Sequence, residues 1–185
     1  MTVAAPLTYP LAGLLAEPVG TIRHFDVRGV TLPLPDDLRL AAAIEGRVDV
    51  ARTNRGVLVR ADLRTAIDGS CSRCLRDIEV PLEISLDEEA LPTVDIASGA
   101  PLDRSAEPDV ARLSDHHELE LGPLVADAIS LAEPIAPLCE AACPGLCPEC
   151  GLRLGPEHRP HEDDAIDPRL EALRAFRVDA DDESG

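Results

Sequence analysis

From Leu38 to Leu86 the chain alternates apolar and polar residues in three successive runs. Leu38, Leu40, Ala42, Ile44, Val48 and Val50 fall on even positions, with Arg39, Glu45, Arg47 and Asp49 between them. Val57, Val59, Ala61, Leu63 and Ile67 then alternate with Arg60, Asp62, Arg64 and Asp68, and Ile78, Val80, Leu82, Ile84 and Leu86 with Asp77, Glu79, Glu83 and Asp87. A period of two places every second side chain on one face of a strand, so each run predicts a strand with one buried face. Thr53-Asn54-Arg55-Gly56 and Gly69-Ser70-Cys71-Ser72-Arg73-Cys74 supply turn chemistry between the runs. Strands joined by short turns predict an antiparallel meander. Pro81 lies inside the third run. It cannot donate to a ladder, so that strand is expected at an edge or with a bulge.

The flanking segments speak less clearly. Residues 1–38 are rich in proline, with a short helix expected near Leu11–Ala16 and a strand near Thr21–Val27. Residues 87–118 are acidic and broken by Pro92, Gly99, Pro101 and Pro108, the pattern of a long mobile loop. A helix is expected over 122–132, with Pro123 in its first turn and Leu124, Val125, Ala128, Ile129 and Ala132 on one face. Pro134 and Pro137 stop it, and Asp167-Pro168 opens a second short helix carrying Leu170, Leu173 and Phe176. The expected fold is α+β: an antiparallel β-meander or small barrel-like sheet with a few short helices and a Cys-rich zinc-binding C-terminal segment. Three regions follow: a β-rich core over 1–132, a Cys/His-rich metal-binding segment over 133–162, and a short helix with a frayed acidic tail over 163–185.

Charge narrows the partners. The formal net charge is −18, and all 17 basic residues are arginine. Such a chain is repelled by phosphate backbones and anionic membrane surfaces, which favours a basic protein partner or simple solubility. The acids are uneven. Residues 87–120 carry ten acids and two arginines, whereas residues 39–86 carry seven acids and eight arginines. The central segment is therefore where an anion could dock. Arg60, Arg64 and Arg73 are the candidate contacts to RNA or another partner, with Arg52, Arg55 and Arg76 beside the same turns. No basic-then-apolar leader and no run of about 18 apolar residues is visible, so a cytoplasmic protein with reduced thiols is expected.

In that compartment six cysteines point to metal rather than disulfides. Cys71-x2-Cys74 lies at a turn, and Cys139-x3-Cys143-x3-Cys147-x2-Cys150 lies in a segment rich in proline and glycine. A two-residue spacer lets both sulfurs face one zinc, which takes four thiolate or imidazole ligands tetrahedrally. In Cys147-Pro148-Glu149-Cys150-Gly151, the glycine frees the backbone to curl round the ion. His158 and His161 follow as possible further ligands. Two groupings are open. One joins Cys71, Cys74, Cys147 and Cys150, leaving Cys139 and Cys143 to the histidines. The other joins Cys139, Cys143, Cys147 and Cys150, leaving Cys71 and Cys74 as a pair. Unliganded buried thiols, or a redox dithiol at Cys71 and Cys74 with Arg73 lowering a thiol pKa, are the other readings. No phosphate loop, nucleophile elbow or H-E-x-x-H occurs, and a closed Cys site suits structure rather than Lewis-acid chemistry, so no enzymatic activity is expected.

The chain resembles the YceD family, the large ribosomal RNA subunit accumulation proteins of bacteria. The resemblance rests on Cys71-Ser72-Arg73-Cys74-Leu75, on Leu131 to Cys139, on Gly145-Leu146-Cys147-Pro148-Glu149-Cys150-Gly151, and on Ile166 to Leu173. These segments come in family order over roughly residues 70–176. Many relatives carry a late cysteine pair where this chain has His158 and His161. Other members lack the tail cysteines, so the resemblance implies zinc as a stabilising device rather than the shared activity. It further implies a role in large-subunit ribosomal RNA accumulation and ribosome biogenesis, as a noncatalytic adaptor for a ribosomal protein, for RNA or pre-ribosomal particles, or for both. A thiol redox protein using Cys71 and Cys74 is the competing expectation.

Overall fold

A computed structural model describes residues 7–35, 37–103, 107–159 and 161. The chain forms two compact units, one running through Cys143 and the other starting at Pro144, so the division falls beyond residue 132. In chain order the first unit holds β1 (Thr8–Pro10), α1 (Ala12–Leu15), β2 (Ile22–Val30), β3 (Leu40–Arg52), β4 (Val57–Ser70), β5 (Asp77–Leu91), β6 (Ala111–Arg112), β7 (Glu118–Glu120) and α2 (Leu121–Ala132). The three alternating runs become β3, β4 and β5, and the turns fall where asparagine, glycine and the first cysteine pair stand. The short helix and the strand expected nearer the start are α1 and β2. The helix expected after Asp167 lies outside the described residues.

The main sheet has the order β2-β3-β4-β5-β6. Its first four strands form the antiparallel meander, and β6 adds in parallel, pairing Ala90 with Ala111 and Leu91 with Arg112. Among the described residues β2 and β6 do not pair, so the sheet is open and the barrel alternative does not form. The β4–β5 ladder is unbroken from Val57↔Ala90 to Ser70↔Asp77. β3 is less regular, with register shifts between Leu40 and Glu45. Gly46 follows that irregularity at φ +148°, and a Cβ there would lie 2.1 Å from the Asp62 carbonyl oxygen.

One face of the sheet builds the core. Val48, Val50, Val59, Ala61, Leu63, Ile67, Val80, Leu82 and Ile84 are buried, and Leu121, Val125 and Ile129 of α2 pack into the same cluster. Each such aliphatic side chain contributes about 1.5–3 kcal/mol on burial, which lets a chain with 2% aromatics fold. Tyr9 and Phe25 meet with ring centroids 4.6 Å apart. β1 and β7 pair as a second, two-stranded sheet, and Leu119 of β7 is buried.

The acidic segment differs from the expected loop. β5 carries Asp87, Glu88 and Glu89 as strand residues because the ladder to β4 runs on through them, pairing Asp87 with Arg60, Glu88 with Val59 and Glu89 with Leu58. Past it, the Asp95 carboxylate accepts from Ala97 N–H, Ser98 N–H and the Ser98 hydroxyl, and Val94 bridges Pro101. The Leu113 N–H then bonds the Leu91 carbonyl at 2.9 Å, and Leu113 is buried. Among the described residues no helix is long and apolar enough to cross a membrane.

Candidate metal centres

The β4–β5 connection is a tight turn. Cys71 donates its N–H to the Arg76 carbonyl at 2.8 Å and accepts from the Leu75 N–H at 2.9 Å. Leu75 takes φ +54°, so the chain doubles back and presents both Cys71 and Cys74 on one side. The segment after α2 is tied to this turn by backbone. Ser72 N–H donates to the Pro137 carbonyl at 2.8 Å, and the Arg73 guanidinium donates to the Cys143 carbonyl at 3.0 Å. Cys139 and Cys143 are thereby held over the turn.

The four sulfurs converge. Cys71 Sγ lies 3.8 Å from Cys143 Sγ, Cys74 Sγ lies 3.7 Å from Cys139 Sγ, and all four lie within 4.8 Å of one another. Thiolates set tetrahedrally about zinc at ~2.3 Å are separated by roughly 3.8 Å, so the donor set fits that ion. Cys71, Cys74 and Cys143 are buried and Cys139 is half-buried. The N–H of Cys139 foremost, with those of Cys74 and Arg73, outweighs burial and holds the Cys71 thiol down at about 6. Cys139 moves the other way: the Cys143 sulfur foremost, then burial, pushes it up to about 12. Neighbouring sulfurs compete for ionisation in this way unless a cation sits among them.

A second convergence lies in the unit that starts at Pro144. Cys147 donates its N–H to the Leu152 carbonyl at 2.7 Å and accepts from the Gly151 N–H at 2.9 Å, and Gly151 takes φ +69°. The N–H of Cys150 foremost, together with that of Glu149, points at the Cys147 sulfur and holds its thiol below the ordinary value despite burial. Cys150 Sγ lies 3.3 Å from His158 Nε2, and the His158 and His161 rings are 5.3 Å apart. Donor atoms of Cys147, Cys150, His158 and His161 all lie within 4.8 Å of one another. Sulfur and nitrogen ligands of one tetrahedral zinc are roughly 3.5 Å apart, so this set also fits. The Glu149 carboxylate lies 3.7 Å from His161 Nδ1, placed to orient that ring. Cys147 is buried, but Cys150 is exposed.

Both groupings left open by the spacing are therefore corrected. Cys71 and Cys74 pair with Cys139 and Cys143, while Cys147 and Cys150 pair with His158 and His161. None of the six cysteines is joined in a disulfide.

A comparison with protein families matches the model described as large ribosomal RNA subunit accumulation protein YceD over residues 59–177, a span holding all eight converging side chains. The chain belongs to the YceD family. Uncharacterized proteins of Mycobacterium bovis and Mycobacterium tuberculosis are each 32% identical over 177 residues, covering 92% of this chain and 81% of theirs. One from Mycobacterium leprae is 31% identical over 120 residues, covering 64% of this chain and 52% of its own. No solved structure matches.

In this YceD protein the candidate RNA-contact arginines are engaged. Arg60 Nε donates to Asp87 at 2.9 Å, and Arg64 lies 3.7 Å from Glu83. Both stand on the solvent face of the sheet, as their alternation implies. Arg73 stands at the cysteine turn, as the sequence places it, but its bond there is to the Cys143 carbonyl, a long-range tie that the sequence does not show. Arg55 pairs with Glu89 and Glu107.

Proposed function

We propose that this protein is a noncatalytic accessory factor in large-subunit ribosomal RNA accumulation and ribosome biogenesis, acting in the cytoplasm as a zinc-stabilised adaptor for a basic ribosomal protein. Membership of the YceD family carries the first part. The pairing of Arg60 and Arg64 with carboxylates, within a chain of net charge −18, favours a basic protein over direct RNA contact. Zinc is the ion proposed for both clusters, because four thiolates, or two thiolates with two imidazoles, at tetrahedral spacing suit it. Cys71 and Cys74 act in this reading as structural ligands, not as a redox dithiol, since two further sulfurs close on them.

The test is depletion of the protein from its own cells, followed by measurement of both ribosomal RNAs. A selective fall of the large-subunit RNA is expected, with zinc in the purified protein and a basic large-subunit protein retained on native purification. Equal levels of both RNAs after depletion overturn the reading. A metal-free protein with a reversible Cys71–Cys74 disulfide returns the thiol redox alternative.

A further inference from the structure

We propose that the outer edge of β5 binds an extended segment of a basic partner protein as an added strand. The proposal rests on the adaptor reading above and names the surface that would serve it.

The backbone of β5 has a definite polarity. In an antiparallel ladder each residue turns its N–H and its C=O to the same side, and successive residues alternate sides. At the start of β5 the Arg76 carbonyl accepts from Cys71 N–H, so even residues face β4. At its end the Leu91 carbonyl accepts from Leu113 N–H, so odd residues face away from β4. Glu79, Glu83, Ser85, Asp87 and Glu89 thus aim backbone donors and acceptors outward. Pro81, which has no donor, occupies an odd position, where no bond to β4 is lost. β6 pairs only with Ala90 and Leu91, and among the described residues nothing pairs with the rest of this edge. Pro81, Glu83, Ser85 and Asp87 are exposed.

An open edge of this length invites another strand unless it is bent or covered, and charge along it repels strands of like sign while admitting those of opposite sign. The opposite edge, β2, is bent by a register shift between Val27 and Val30, with Gly29 at φ +66°. β5 runs without a shift. Beyond Pro81 the strand is proline-free through Leu91, long enough for a partner of about six residues.

Charge specifies the occupant. From Asp77 to Glu89 the odd side chains of β5 stand on the solvent face and include Glu79, Glu83, Asp87 and Glu89, and Glu79 has no basic partner among the described residues. The even side chains Val80, Leu82 and Ile84 turn to the core face, where α2 packs against β5. A strand laid along this edge meets carboxylates on one face and aliphatic groups on the other. The fitting segment alternates arginine or lysine with valine or isoleucine.

The experiment uses the full chain loaded with zinc and a labelled peptide of alternating arginine and valine. Binding should slow amide exchange at Glu83, Ser85 and Asp87 and leave Ile84 and Leu86 unchanged, since the latter are already bonded to β4. Ser85→Pro removes one outward donor at a position of the same parity as Pro81. It should weaken peptide binding roughly tenfold while keeping the melting temperature. Glu79→Arg with Glu83→Arg should weaken it without touching the backbone, which covers the case in which the proline variant does not fold. Equal protection at odd and even amides, or equal affinity for a peptide with the same residues in two blocks, overturns the proposal. So does preferential binding of single-stranded RNA. If Ser85→Pro still retrieves the same ribosomal protein from cells, the edge is wrong and the adaptor reading stands. If the parity pattern appears with the peptide but the wild-type chain retrieves no ribosomal component, the edge stands and the ribosomal reading fails.

Discussion

Cys71 and Cys150 lie at opposite extremes of burial, and their serine variants separate the two centres. Cys71→Ser leaves three sulfurs in a largely buried cluster and, in the zinc reading proposed above, removes the ion beside the β4–β5 turn. Metal content should fall from about two equivalents to about one, and the sheet unit should melt at a lower temperature. Cys150→Ser should also remove about one equivalent but leave the sheet's melting unchanged. Metal analysis beside a thermal melt checks both, and loss of both ions from either variant refutes two independent centres. Gly46 makes a different kind of demand. Gly46→Ala would force a methyl group to 2.1 Å from the Asp62 carbonyl oxygen at φ +148°. It should cost roughly 2–3 kcal/mol, read as a lowered denaturant midpoint with an unchanged slope.

Among the elements, what alternates is legible in the sequence and what crosses the chain is not. β3, β4 and β5 follow from period two because burial of one face is a local property of the residues. Pro81 points to an edge, and the free side of β5 is where it lies. β6 escapes notice, since two residues in parallel pairing leave no periodic signature. The acidic residues 87–89 of β5 read as a loop because the alternation stops at them, and they are strand because β4 supplies a partner as far as Val57. The cysteine knuckles are visible from their spacing, but which knuckles converge depends on where α2 delivers Cys139 and Cys143. The unit starting at Pro144 shows the same limit. Its described residues hold one isolated bridge, Leu146↔Arg153, and few buried side chains, so in the zinc reading proposed above metal ligation supplies most of its order. Zinc removal by a chelator, or His158→Ala with His161→Ala, should bring amides of residues 144–159 to fast exchange while those of β4 stay protected. Protected amides in the double variant would show that this unit folds without its ion.

For the whole molecule the balance of charge bears on the association proposed above. Exposed ion pairs such as Arg60–Asp87 contribute about 0–1 kcal/mol each and leave the acidic excess in place. Capture of a basic partner should therefore weaken as salt is raised, measured as a falling association rate more than a rising dissociation rate. A salt-independent affinity would exclude the acidic surface as the binding face. The four-cysteine centre has a consequence in time as well. Its paired ligands are 65 and 72 residues apart in the chain. A ribosome adding about 5–20 residues per second delivers the second pair roughly 3–15 seconds after the first. During every round of synthesis Cys71 and Cys74 wait as an incomplete half-site. In the zinc reading, the nascent chain is then open to oxidants and competing metals in a way the finished protein is not.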